Sequence, residues 1–165
     1  IGGGHGEYAI ALCRKHPSAT ALIFDGAQAL ATGKASIANA NLQSRIQTQV
    51  GNFLTDELPR GFDVALLFNI VHGFTPAENI ELFRKVKGAL NPGGQLVLLE
   101  QIHGTNPLPV MDGATHILSM AYYHLLGGQV YTFEDIQAWM TAAGFTNIRR
   151  KSILQANSAL IIGNL

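Results

Sequence analysis

Four glycines stand within the first six residues, in the run Gly2-Gly3-Gly4-His5-Gly6, and they are the feature most suggestive of chemistry. Glycine permits both tight dihedrals and close approach of the backbone to a ligand, so this turn is expected to cradle one. Gly4-His5-Gly6-Glu7-Tyr8-Ala9 follows the dinucleotide pattern G-x-G-x-x-A, and a second spacing, Gly2-x-Gly4-x-Gly6, overlaps it. Asp25 lies 19 residues past Gly6 and could hold a ribose diol through its carboxylate under either reading. His5, Glu100 and His103 are lone polar groups near strand ends or the turn, which read as hydrogen-bonded structural residues. His103, His116 and His124 have no partnering cysteine or carboxylate at ligand spacing, so no metal is expected.

The elements that must position these groups follow a regular rhythm. Glu7 to Lys15 has helical spacing and stops at His16-Pro17. The apolar run Ala19 to Asp25 reads as a buried parallel strand, Gln28 to Ala40 as a helix, and Ile46 to Val50 as a half-exposed strand. Phe62 to Phe68 is the most apolar strand. Thr75-Pro76-Ala77-Glu78 is a capping box with proline at the first helical position, launching a helix that ends near Leu90 before Asn91-Pro92-Gly93-Gly94. Gln95 to Ile102 is the next strand. Met111 to Leu126 reads as a helix with Ile117, Leu118, Ala121 and Leu125 along one face. Thr132 opens a further helix closed by Gly144, and Phe145 to Ile153 with Ser158 to Gly163 read as an antiparallel edge hairpin.

Alternation of strand and helix requires an α/β fold with a mostly parallel sheet covered on both faces. Ligands of such sheets bind at the C-terminal ends of the strands. Gly2 to Gly6, Asp25, Asn52, Asn69 to His72 and Glu100 all fall at such ends. The 165 residues suit one domain, and 47% hydrophobic against 13% charged residues is the composition of a packed core. The formal charge is zero, so no basic field invites nucleic acid or an anionic membrane, and no apolar run is long enough to span a bilayer. A single cysteine, Cys13, fits a reducing compartment, and the cytoplasm is the expected location. Because Ile1 enters the glycine turn with no strand before it, a first strand and further N-terminal sequence are expected to precede this chain.

Several segments together resemble the class I S-adenosylmethionine-dependent methyltransferases, and more narrowly the small-molecule O-methyltransferases. Ile1-Gly2-Gly3-Gly4-His5-Gly6 resembles the first motif, Phe24-Asp25 the ribose-binding acid, and Gly51-Asn52-Phe53 the adenine-contacting segment, with Asn52 in place of its usual acid. Phe62 to Leu67 followed by Val71-His72 resembles the fourth strand and its base histidine, although His72-Gly73-Phe74 departs from the common His-Asp-Trp. Leu90 to Glu100 resembles the family's most recognisable later segment. The resemblance implies a Rossmann-like doubly wound domain over residues 1–165 with an N-terminal dimerisation region outside it. It implies S-adenosylmethionine as cofactor, held by Gly2, Gly4, Gly6, Asp25, Asn52, Phe53 and Asn69.

It also implies a methyl acceptor that is a small molecule, with a hydroxyl oxygen of an aromatic or related metabolite as the methylated atom. His72 would act as base, since imidazole titrates near neutral pH. Met111, Met120, Tyr122 and Tyr123 would line the acceptor pocket, and a homodimer is expected. Nitrogen or carbon acceptors, an NAD(P)-dependent oxidoreductase, and a cofactor-binding module without turnover are the alternatives.

Overall fold

The computed structural model describes residues 1–104, 109–153 and 158–165, without the side chains of 109–112 and 152. Two compact units divide the chain, Ile1–Glu57 and Leu58–Leu165.

In the first unit, helix α1 (Glu7–Lys15) starts at Gly6, whose left-handed φ of 79° few other residues would accept. Its C-terminal carbonyls are capped from a distance. The Arg45 guanidinium donates to the carbonyls of Cys13 (2.9 Å) and His16 (2.7 Å), and its Nε donates to that of Ala19 (3.0 Å). Strands β1 (Ala21–Asp25) and β2 (Ile46–Val50) pair in parallel, with α2 (Ala27–Asn39) as the crossover. Ile10, Cys13, Ile23, Leu30, Ile37 and Ile46 form the core between helices and strands. Gly33 lies inside α2, where glycine costs about 1 kcal/mol against alanine, because a Cβ there would strike the Gly4 carbonyl.

In the second unit, β3 (Phe62–Phe68) and β4 (Leu90–His103) pair in parallel across α3 (Pro76–Ala89). The expected capping box is present at the start of α3: Glu78 N–H donates to Thr75 Oγ1, and Thr75 N–H donates back to Glu78. Helices α4 (Pro109–Leu126) and α5 (Phe133–Ala142) follow, with a two-residue strand β5 (Tyr131–Thr132) between them that pairs with the tip of β4. The hairpin of β6 (Thr146–Ser152) and β7 (Ser158–Asn164) closes the sheet in the order β3-β4-β7-β6. β7 runs antiparallel to β4 and β6 is outermost, as expected for an edge hairpin on a parallel sheet. Along β4, Leu96, Leu98, Glu100 and Ile102 all turn into the core. Among the described residues no helix is long and apolar enough to cross a membrane.

The inner face of α4 is only partly the one expected from sequence, with Leu118 and Ala121 half-buried. Ile117 and Leu125 are 72% and 79% exposed, whereas Thr115 is buried and Ser119 accepts the Val130 N–H. Residues 113–130 contain no charged side chain. With no charged stripe along this stretch to mark its outer face, tertiary partners choose the face.

Candidate active site

The glycine turn of the first unit is shaped from both sides. Gly2 and Gly6 have φ of 66° and 79°, and a Cβ on Gly4 would lie 2.6 Å from that of Ala29. Asp25, at the C-terminal end of β1, ties the turn to the strand: its Oδ2 accepts the Gly4 N–H at 2.8 Å and its Oδ1 accepts the Gly26 N–H at 2.7 Å. Each oxygen accepts one backbone hydrogen, and a carboxylate has further lone pairs with which to accept from a diol. A glycine turn with a partly exposed acid beside it is a donor and acceptor set that fits the nucleoside and amino-acid ends of S-adenosylmethionine. Asn52 sits in an exposed turn after β2. Its Oδ1 accepts the Leu54 N–H at 3.0 Å while its own N–H donates to Asp56, the pattern of a local turn residue. Phe53 beside it is half-buried.

In the second unit, the turn that leaves β3 brings a histidine and a carboxylate together. Asn69 is exposed with φ of 56°, a left-handed conformation that asparagine tolerates better than most residues. Beyond it, the N–H groups of Ile70 and Val71 both donate to Oε1 of Glu100, at 2.6 and 2.7 Å. The other oxygen, Oε2, stands 2.8 Å from His72 Nδ1. An ionised carboxylate only accepts, so Nδ1 is the donor in this contact. Glu100 is 1% exposed, and it therefore orients the imidazole from inside the core.

Four more residues pack on or hold the His72 turn. Asn79, fully buried on α3, donates from Nδ2 to the carbonyls of Val71 and Phe74. The Tyr131 hydroxyl donates to the Phe74 carbonyl at 2.7 Å, and a Cβ on Gly128 would strike the His72 carbonyl. Tyr122 of α4 stacks on the imidazole, with ring centroids 4.1 Å apart and planes 14° from parallel. Burial, with the Glu100 charge adding to it, raises the Tyr122 phenol above its ordinary range, so it stays protonated at neutral pH.

Of the expected acceptor-side residues, Tyr122 touches the histidine. Met120 and Tyr123 are each 63% exposed, and the Met111 side chain lies outside the described residues. Glu100, taken from sequence as a structural carboxylate, is the partner of the histidine. Its signal was register: it continues the inward alternation of Leu96 and Leu98, and an acid in that series requires a buried partner. Among the described residues no three His, Cys, Asp or Glu side chains gather as a metal site.

A glycine turn tied to a strand-end acid in the first unit, and a histidine held by a buried carboxylate in the second, are groups that α/β cofactor-dependent enzymes carry at strand ends. Comparison with known proteins then specifies the family: residues 1–146 match the O-methyltransferase domain family, and the chain belongs to it. The chain is 30% identical to 3-hydroxy-5-methyl-1-naphthoate 3-O-methyltransferase of Streptomyces sahachiroi over 90% of its length, and 29% identical to L-tyrosine C(3)-methyltransferase of Streptomyces lavendulae over 87%. It spans 43% and 39% of those two proteins. Among solved structures it resembles the S-adenosylmethionine-dependent methyltransferase SibL, with a TM-score of 0.85 at 28% identity, covering 99% of this chain and 48% of SibL. Family membership gives the cofactor as S-adenosylmethionine, and the nicotinamide reading falls.

Proposed function

We propose that this chain is the cofactor-binding and base-bearing part of an enzyme that methylates a hydroxyl oxygen on an aromatic small molecule. The observation that carries the reading is the 2.8 Å contact between His72 Nδ1 and Glu100. With Nδ1–H held by the carboxylate, Nε2 is the free acceptor for a phenolic proton, and Glu100 stabilises the imidazolium that results. When bound, S-adenosylmethionine supplies an electrophilic methyl on a cationic sulfur. Gly2, Gly4 and Gly6 would give it backbone contact, Asp25 would accept from its ribose hydroxyls, and Asn52, Phe53 and Asn69 are the remaining candidates to line its site.

Carbon methylation is a second reading, favoured by the likeness to an L-tyrosine C(3)-methyltransferase. It needs no different machinery, because removing a phenol's proton also makes the ring carbon beside it nucleophilic. Met111, Met120 and Tyr123 stay candidates for acceptor contact. A cytoplasmic location, expected from the single cysteine, and a homodimer, expected from the family resemblance, belong to the same proposal, and light scattering of the protein in solution tests the dimer. The deciding experiment for function is turnover with labelled S-adenosylmethionine across a panel of hydroxynaphthoates, other phenols and L-tyrosine. Label transferred to oxygen supports the leading reading and transfer to ring carbon the second. Binding of S-adenosylhomocysteine with no transfer to any acceptor would leave a binding module.

A further inference from the structure

We infer that Tyr122 is a positioning residue whose ring fixes the plane of the His72 imidazole and thereby the direction in which Nε2 accepts a proton. The inference rests on His72 acting as base, as proposed above. One hydrogen bond from Nδ1 to Glu100 pins one atom and leaves the ring free to swing about that contact. The nitrogen lone pair lies in the ring plane, so a swinging ring would sweep Nε2 and its lone pair through an arc. The missing constraint is a surface parallel to the imidazole. Tyr122 supplies it as a ring in direct, near-parallel contact, at 4.1 Å and 14°.

Tyr122 is itself anchored. Its hydroxyl lies 3.4 Å from Oε1 of Gln101, the residue next to Glu100 on β4. Two adjacent residues of one strand thus constrain the histidine, Glu100 directly and Gln101 through the tyrosine ring. Because the phenol stays protonated, Tyr122 does not compete with His72 for the acceptor's proton.

The test is nuclear magnetic resonance of histidine-labelled protein combined with turnover. In the wild-type protein the His72 ring protons are expected upfield of those of free histidine, shielded by the Tyr122 ring, and the imidazole is expected to be as ordered as the backbone. Tyr122→Leu should move those resonances downfield and mobilise the ring, while Tyr122→Phe, which keeps the stack and loses the hydroxyl, should restore both. With a hydroxynaphthoate as probe acceptor, Tyr122→Leu is expected to lose about 10- to 100-fold in kcat through misdirection of the base, with KM little changed. Tyr122→Phe should regain most of that loss. Unshifted His72 resonances in the wild type, or a ring equally shielded and ordered in Tyr122→Leu, would overturn the stack whatever the activity. His72→Ala turning over at the wild-type rate would instead overturn the base reading and with it the purpose of the stack.

Discussion

Glu100 and His72 are 28 positions apart in the chain and meet at 2.8 Å, which joins the core strand β4 to the turn that leaves β3. The same carboxylate holds the backbone of that turn through Ile70 and Val71, so one buried group sets both where the histidine stands and which nitrogen carries its proton.

Glu100→Gln therefore separates the two duties. Glutamine can still accept the Ile70 and Val71 N–H groups through its oxygen, but it presents an NH2 to Nδ1 and drives the imidazole hydrogen onto Nε2. The expected result is a folded protein with turnover reduced by about 10²- to 10⁴-fold, the range for a misplaced general base. Circular dichroism checks the fold and a methyl-transfer assay checks the rate.

Asp25→Asn tests the cofactor side without touching the base. Its single oxygen can accept from Gly4 or from Gly26 but not from both, and the charge that would hold a diol is lost. Calorimetric titration with S-adenosylhomocysteine is expected to show affinity weaker by about tenfold or more, since hydrogen bonds to a charged group contribute roughly 1.5–3 kcal/mol.

Two helical glycines should respond in opposite directions to the same change. Gly33→Ala pushes a methyl into the Gly4 carbonyl and is expected to destabilise by about 1–3 kcal/mol despite alanine's better helix propensity. Gly88→Ala in α3 meets nothing within 4 Å and should stabilise by about 0.5–1 kcal/mol. Urea unfolding of the two variants reads both signs.

The α3 capping box is pH-dependent in a definite sense. Hydrogen bonding to the Thr75 side chain, and then to its backbone, holds the Glu78 carboxyl below its ordinary value of 4.5. A depressed folded-state pKa contributes stability that is present above the unfolded value and lost as pH falls through the folded one. Thr75→Ala should cost about 1 kcal/mol at neutral pH. The gap between wild type and variant should narrow in acid, below the ordinary carboxylate range, as thermal melts across that window would show.

Elements with local causes were legible in the sequence. The Thr75 box, the stop at His16-Pro17 and the apolar runs of β1 and β3 depend on residues at most a few positions apart, and all occur where the residues predict. β5 was not foreseen, because two residues cannot display an alternation. Of the site, the glycine turn, Asp25 and His72 could be named from motif and strand end. Asn52 follows its own short-range rule and forms the turn that asparagine after glycine favours.

What the sequence alone determined, then, is the order of strands and helices and the placing of a glycine turn, an acid and a histidine at strand ends, because periodicity and capping act over one or two turns of chain. Only the tertiary structure decided that Glu100 faces His72, that Asn79 and Tyr131 hold the turn between them, and that Tyr122 rather than Met120 or Tyr123 turns inward from α4. Those choices join residues of four elements, and a helix such as α4, with no charged side chain from Gly113 to its end, has no preferred face until packing against its neighbours gives it one.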